Sequence, residues 1–446
     1  MSKQVDRRNW LKQSAAVSTV LATGVHSQLA SATSNSPTEK LNIASIGVGG
    51  RAAGNLQGLE DENIVVIVDT DQNALDQAGS RYKQARKYRD FRVMLEKETN
   101  RIDAVLVSCA DHTHAPAAAM AMRMKKHVYC EKPLAHTVYE ARVLANLARE
   151  HNLATQMGTQ IHAGNNYRRV VELVQSGAIG EIRDVHVWVG VNYSGQHLVT
   201  GKSAPKNVDW DLWQGPSPAR PYCESQNSEG AVENIYRFHW RWFWDYGTGG
   251  LGDFGCHYMD LAHWALELKN PTRVSASGPT PLLHNTTAGI VVDYDYPARG
   301  DLPPVRMTWY DGGKKPEIVS QLKGKDGKPL NWGNGQLFIG SQGMIISDYS
   351  KHMLLPVDQF ADFERPEPTI ADSLGHHREW THAIRTGDPT TCNFEYSGAL
   401  SESVLLGVAA YRSGMPIEWD AENLKVTNSP QTQQWIHKEY RKGWTL

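Results

Sequence analysis

Between Leu41 and Asp69 the sequence admits few folds. Leu41-Asn42-Ile43-Ala44-Ser45-Ile46 reads as a short buried strand. It runs directly into Gly47-Val48-Gly49-Gly50-Arg51-Ala52, a G-x-G-x-x-A pattern, and on into a helical pattern reaching about Leu59. A second β-branched run, Asn63 to Asp69, ends in an acid about twenty positions after the first glycine. Each part has a task in holding a dinucleotide. Gly47 makes the tight turn, Gly49 with Gly50 beside it lets backbone approach a pyrophosphate, and Ala52 permits close packing of helix on strand. The helix start turns unpaired N–H groups toward the phosphates. Asp69 can accept from a ribose 2′-hydroxyl and would repel a 2′-phosphate, so NAD is favoured over NADP. Arg51, able to reach a phosphate, pulls the other way. Strand, glycines, helix, strand and acid in this order predict an α/β chain opening with a Rossmann domain, a doubly wound parallel sheet over residues 41–157.

Ile102 to Ser108 is a further buried strand, followed by Cys109-Ala110-Asp111-His112-Thr113-His114. Alone, H-x-H after a strand could open a metal site. The nucleotide pattern upstream argues against that, and no metal is expected. After a helix rich in Ala and Met comes His127-Val128-Tyr129-Cys130-Glu131-Lys132-Pro133-Leu134. Here the chain resembles the Gfo/Idh/MocA family of sugar and cyclitol oxidoreductases, whose fourth strand ends in E-K-P. The resemblance runs from Leu41 to Trp419. It implies that Lys132 is the catalytic lysine beside the nicotinamide and the reacting hydroxyl, and that Glu131 and His114 belong to the cofactor pocket. It also implies a homo-oligomer. Ala110 stands where the family usually has Pro. A cis peptide at Lys132-Pro133 is expected from the turn that aims the lysine.

From Gly158 the texture changes, and residues 158–446 read as an α+β substrate domain. Alternating runs such as Asp184 to Val191 and Val305 to Tyr310 predict a large open, mostly antiparallel sheet. Ser373 to Thr386 and Tyr396 to Ser413 read as helices. In Gly249-Gly250-Leu251-Gly252-Asp253-Phe254-Gly255-Cys256-His257 the family's D-x-x-x-H pair falls on Asp253 and His257, four apart and so on one helix face. The preceding glycines place both near the helix start, where the dipole disfavours imidazolium and leaves a neutral base. The bland alternative makes Asp253 a helix cap and His257 a core histidine. His257, Asp260 and His263 could also be metal ligands, but spacings of three scatter them around a helix. Between Asn192 and Tyr246 lie five of the fourteen tryptophans, Trp210, Trp213, Trp240, Trp242 and Trp244, among further aromatics. Aromatic faces stack on sugar rings, though core packing explains such clusters equally well. His162, Tyr167 and Arg168 are further candidates for substrate contacts.

Arg7-Arg8-Asn9-Trp10-Leu11-Lys12, an apolar stretch from Ala15 to Ala30 and the small-x-small Ala30-Ser31-Ala32 describe an export signal over residues 1–32, with a linker at 33–40. The paired arginines resemble a twin-arginine signal, with Trp10 for the usual Phe and Asp6 for the usual Ser or Thr. An ordinary secretory signal holding two arginines is the alternative. A periplasmic protein with no membrane span after signal removal is expected. Forty-six basic against 48 acidic residues give no broad field for nucleic acid. Five scattered cysteines form no metal or disulfide pattern.

The expected chemistry is hydride transfer between a sugar or polyol carbinol carbon and a retained nicotinamide cofactor. His257 would remove the hydroxyl proton, Lys132 would hydrogen-bond the developing alkoxide, and Asp253 would orient them. One alternative is an NAD-dependent glycoside hydrolase acting through a transient keto-sugar. Another is a non-catalytic NAD-bearing sugar sensor, against which the intact Lys132, Asp253 and His257 argue.

Overall fold

Near-continuous apolar runs form strands buried on both faces, the signature of a parallel sheet. The computed structural model describes residues 39–446; the proposed export signal and most of the linker lie outside the described residues. The first sheet comprises β1 (Asn42–Ile46), β2 (Asn63–Val68), β3 (Arg86–Tyr88), β4 (Ala104–Val107), β5 (His127–Cys130) and β6 (Thr155–Met157). All pairs are parallel and the spatial order is β3-β2-β1-β4-β5-β6. This is the doubly wound arrangement in which a ligand crevice opens where the order reverses, beyond β1 and β4. Sequence patterning gives no sign of β3, three polar residues at the sheet edge, so Glu131-Lys132-Pro133 follows the fifth strand in chain order rather than the fourth.

Five helices cover this sheet: α1 (Arg51–Gly58), α2 (Gln72–Arg81), α3 (Phe91–Glu98), α4 (Asp111–Arg123) and α5 (Val138–Glu150). The start of α5 is a capping box, the Thr137 hydroxyl accepting from the Glu140 amide while the Glu140 carboxylate accepts from the Thr137 amide. In α4 the alanines at 115, 117, 118, 119 and 121 are fully buried. Small side chains let this helix sit between the sheet and α5 without a polar face.

Beyond α6 (Asn165–Gln175) the chain enters a second sheet through β7 (Ile182–Trp188). An insertion follows, with β8 (Gln196–Thr200), α7 (Trp210–Gln214), β9 (Cys223–Asn227) and β10 (Val232–Asn234), whose strands form a separate three-stranded sheet. Then come α8 (Gly249–Tyr258), α9 (Asp260–Leu266), β11 (Arg273–Ser277), β12 (Val291–Tyr296), β13 (Val305–Tyr310), β14 (Gly335–Gly340), β15 (Gly343–Ser347) and β16 (His352–Leu355). The chain ends through α10 (His376–Thr386), α11 (Phe394–Ser413), β17 (Ile417–Asp420) and β18 (Lys425–Val426). The large sheet has nine strands, ordered β16-β15-β14-β7-β13-β12-β11-β17-β18; only β7 and β13 pair in parallel. No helix of the described residues is long and apolar enough to cross a membrane.

The last two helices join the two sheets. Trp380 of α10 is fully buried in one cluster with Leu41, Ile43, Leu56 and Tyr129, so α10 covers the nucleotide sheet although it lies far beyond residue 158 in sequence. Helix α11 packs on α5, α8 and β11. Across the α5–α11 seam, Arg142 donates from Nε and Nη2 to the two carboxylate oxygens of Glu402 at 2.6 and 2.7 Å, and from Nη1 to the Ala421 carbonyl. Removing one partner of a buried pair strands the other charge. Arg142→Ala should therefore cost about 3 kcal/mol of stability, read as a lowered thermal midpoint, and Glu402→Gln distinctly less. Equal midpoints for Arg142→Ala and the parent chain would show that the seam does not depend on the pair.

Candidate active site

The turn from β1 into α1 is set by close approach. Gly47 has φ +90°, and a Cβ there would lie 2.5 Å from the Ser108 carbonyl oxygen. No side chain caps the first turn of α1, which leaves its backbone donors facing a cleft. At the end of β2, Asp69 accepts from the amides of Val48 (3.1 Å) and Asp71 (2.9 Å), locking the glycine turn to the second strand. Burial raises its carboxyl above the usual range, against the pull of those amides. The cleft, about 430 Å³, is lined by Gly47, Gly49, Gly50, Arg51 and Asp69 together with Ser108 to Ala110. A glycine turn, an uncapped helix start and an acid at the second strand's end fit a dinucleotide's pyrophosphate and ribose.

A smaller cleft of about 180 Å³ adjoins it, sharing Arg51, Ser108, Cys109, Trp240 and Arg241. Lys132, at the end of β5 and followed by a cis bond to Pro133, reaches into it. Its Nζ donates to the Asp253 carbonyl at 2.8 Å and to Asp253 Oδ1 at 2.5 Å. The other carboxylate oxygen accepts from the Tyr193 hydroxyl at 2.7 Å, with Arg241 Nε 3.5 Å away. Burial pushes the Asp253 carboxyl up, but Lys132, Arg241 and these hydrogen bonds outweigh it and hold it well below the usual range. Glu131 accepts from Arg51, Asn55 and Gln160 at 3.2, 2.8 and 2.8 Å. Gly158 makes room for it, since a Cβ there would meet the Glu131 carboxylate at 2.6 Å.

His257 lines the same small cleft, and its Nδ1 is buried with no partner in the protein. Burial, then the nearby Lys132 charge, hold its ring well below the usual histidine value, so it is neutral. That neutral state does not come from a position near the helix start, as the glycines ahead of Asp253 suggest. Helix α8 begins at Gly249, which puts Asp253 in its interior and His257 in its last turn, where the helix dipole favours a cation. Burial and Lys132 override the dipole.

Other sequence candidates lie elsewhere. His114 is buried beneath the small cleft, its ring nitrogens 2.8 Å from the Pro133 carbonyl and 3.0 Å from the Cys109 carbonyl, and so positions the lysine turn. His162, Tyr167 and Arg168 are interior and line neither cleft. His162 bonds the Asp260 carboxylate at 3.0 Å and stacks on Trp264. Tyr167 donates to the His257 carbonyl at 3.1 Å, supporting α8 from behind. Arg168 pairs with Glu379 at 2.8 Å. His162, in the turn just ahead of α6, and Tyr167 and Arg168, on α6, are buried against α8, α9, α10 and the segment leading to α10, which local sequence could not reveal. His263 bonds Met259 and Tyr296 instead of joining His257 and Asp260. Among the insertion's aromatics, Trp213, Tyr236 and Trp240 border the larger cleft, while Phe243 and Tyr246 are core.

Asp111, Thr248 and Arg241 were not singled out from sequence, and Tyr193 figured only among the further aromatics between Asn192 and Tyr246. Asp111 opens α4, borders the small cleft and accepts from the Thr248 hydroxyl at 2.9 Å. Burial, then the Asp253 charge, push its carboxyl up to about 7 against Arg241, Lys132 and the Thr248 bond. An acid opening the helix that follows a buried strand, just before His112, was the available signal.

Two family models match, "Oxidoreductase family, NAD-binding Rossmann fold" over residues 41–159 and "Oxidoreductase family, C-terminal alpha/beta domain" over 164–446. The chain belongs to the Gfo/Idh/MocA family. Its first domain is thus an NAD-binding Rossmann domain. Among curated proteins it is similar to a myo-inositol 2-dehydrogenase of Thermotoga maritima, 24% identical over 32% of this chain and 42% of the relative. It is also similar to a glycosyl hydrolase family 109 protein of Shewanella, 27% identical over 40% of this chain and 44% of the relative. The chain thus spans just under half the length of the curated relatives it matches. The crystal structure of GenD2 from gentamicin A biosynthesis, in complex with NAD, shares the fold with a TM-score of 0.55 at 18% identity, covering 90% of this chain and all of that one.

The raised Asp111 value has a consequence for stability. Because its folded-state value of about 7 exceeds the unfolded one of about 3.9, its contribution is whole below pH 4 and is lost as pH rises through 7. Asp111→Asn should match the parent's thermal midpoint at pH 4 and exceed it at pH 8, by at most about 4 kcal/mol in stability. A midpoint difference independent of pH would overturn this account of Asp111.

Proposed function

We propose that this chain is an NAD-dependent oxidoreductase acting on a carbinol carbon of a sugar or polyol, with NAD preferred to NADP because Asp69 faces the cleft at the end of β2. The observation that carries the reading is the Lys132–Asp253 contact, made beside a neutral His257 in a cleft continuous with the dinucleotide site. Bound NAD supplies the carbon that accepts the hydride. The chain's own groups handle the proton. His257, neutral and lining the small cleft, takes the hydroxyl proton. Lys132 donates a hydrogen bond to the oxygen as its negative charge develops. Asp253 fixes the ammonium, and Tyr193 fixes Asp253. Helix-borne and strand-borne groups locked by such bonds hold their geometry without cost at the moment of reaction.

The reading extends to location and cofactor economy. Arg7-Arg8 and the apolar stretch after them support export of a folded, NAD-loaded chain. Outside, a retained cofactor suits a redox-neutral cycle, in which a second substrate or the same sugar takes the hydride back. A second reading, glycoside hydrolysis through a transient keto-sugar, draws on Asp111, an acid holding its proton near neutral pH in the same cleft as the base. Elimination of an aglycone needs such a donor in addition to a base.

Lys132→Ala and His257→Ala should each lower turnover by about 10² or more while leaving NAD affinity, measured by fluorescence titration with NADH, nearly intact. Near-normal turnover in either variant would remove that residue from the mechanism. The two readings separate when the purified chain is offered free sugars and aryl glycosides while NADH and aglycone are followed together. NADH without aglycone release supports the oxidoreductase; stoichiometric aglycone without net NADH supports the hydrolase.

A further inference from the structure

The larger cleft is not closed by Rossmann elements alone. Its outer side is formed by Trp213 of α7, by Tyr236 and Arg237 after β10, and by Trp444 near the chain's end. The segment ahead of α7 is tied across the β2–α2 turn. The Gln72 amide donates to the Asn207 carbonyl at 2.8 Å, and the Asp209 amide donates to the Thr70 carbonyl at 3.0 Å. Asn207 Nδ2 donates to Asp71 Oδ1 at 2.6 Å, and Val208 forms an antiparallel bridge with Asp71. Arg237 pairs with Asp71 Oδ2 at 3.3 Å, and Arg89 donates to the Asn207 carbonyl at 3.1 Å. These contacts gather on residues 70–72 after β2, beside Asp69, with Arg89 joining them from the end of β3.

The final segment locks the same strap from outside. Arg441 donates from Nε to the Gly215 carbonyl at 2.6 Å and pairs with Asp211 at the same distance. Arg92 donates to the Gly443 carbonyl at 3.0 Å and lies over the Trp444 ring at 4.2 Å, while Phe91 packs against that ring at 5.8 Å. Trp444 is thus an aromatic face clamped between α3 and the insertion, yet still bordering the cleft.

Resting on the NAD reading above, we propose that Trp444, Arg237 and the strap 207–213 are cofactor-binding elements for the adenosine half of the dinucleotide, and that they make the cofactor resident. Trp444, mostly buried with Arg92 and Arg441 over its ring, meets the cleft along its remaining exposed rim, against which an adenine can lie, and a ribose presents hydroxyls to the Asp69–Asp71 corner that Arg237 and Asn207 brace. Because the strap is bonded to β2 and α2 at one side and to the final segment at the other, release requires several of these bonds to open together. The nicotinamide end is untouched by the wall, so its effect is on retention and not on chemistry.

The test reads the cofactor directly. The purified parent chain, Trp444→Ala, Trp444→Phe and Arg237→Gln are desalted and acid-denatured, and released NAD(H) is set against protein. NADH dissociation is then timed by its fluorescence after mixing with excess NAD. The parent should keep close to one cofactor per chain. Trp444→Ala should dissociate roughly tenfold faster or more, the scale of one base-stacking contact, with Trp444→Phe between the two. Arg237 is largely exposed, so Arg237→Gln tests the wall even if Trp444→Ala fails to fold. Unchanged dissociation in folded Trp444→Phe and Arg237→Gln would overturn the wall while leaving the nucleotide site standing. A parent chain that binds no NAD at all would overturn the nucleotide reading itself.

Discussion

Lys132 and Asp253 come from opposite halves of the chain, one from the end of a parallel strand, the other from the interior of α8, and meet at 2.5 Å inside the protein. A buried ammonium without a partner would cost several kcal/mol, and a buried carboxylate as much. Each therefore obliges the other to be there, and the α8 helix is held against the nucleotide sheet at the one place where the chemistry needs it. The geometry is over-determined: Lys132 is gripped by both the carbonyl and the carboxylate of one residue, and Tyr193 occupies the remaining carboxylate oxygen. Tyr167 fixes the next turn of α8 from behind by donating to the His257 carbonyl.

Burial, with Lys132 beside it, decides the state of His257. Its helix position alone would favour a proton on the ring, since it lies in the last turn of α8. The dipole's contribution at a helix end is about 0.3–1 kcal/mol at exposed sites and falls off within a turn. Desolvation and a cation a short distance away act with greater weight in a dry cleft. The ring stays neutral, available as an acceptor, because burial and the Lys132 ammonium beside it outweigh both the dipole and the Asp253 carboxylate.

The nucleotide half was legible in sequence because its determinants are local. Strand, glycine turn, helix and acid follow one another within thirty residues, and each names its neighbour. The Asp253–His257 spacing was legible for the same reason. What sequence did not yield depends on contacts between distant segments. Helix α10 was foreseen as a helix, but its place on the nucleotide sheet follows from Trp380 filling a gap beside Tyr129. His162, Tyr167 and Arg168 have the chemistry of substrate contacts, and their partners Asp260, Gln336 and Glu379 lie roughly a hundred to two hundred residues away. The start of α8 was misjudged by a turn because glycines, which usually end helices, here lie inside one, where Cβ atoms would strike Val191, Thr248 and Val404. Asp111 escaped notice since nothing in its own neighbourhood says that Asp253 will face it.

The charges that line the small cleft then argue for the kind of transition state it serves. Arg51 is matched by Glu131 and Lys132 by Asp253. Arg241 reaches Asp253 only at 3.5 Å, and its second acidic neighbour, Asp111, holds its proton near neutral pH. Three cations thus face two full anions, and the excess sits where Lys132, His257 and Arg241 converge. A neutral carbinol gains little from that excess, whereas an oxygen acquiring negative charge gains much, in a site whose dipoles are already fixed. Such differential stabilisation raises the rate and not merely the affinity. That excess positive charge pulls Asp111 toward ionisation; its burial and the Asp253 charge beside it outweigh the pull and keep the proton on.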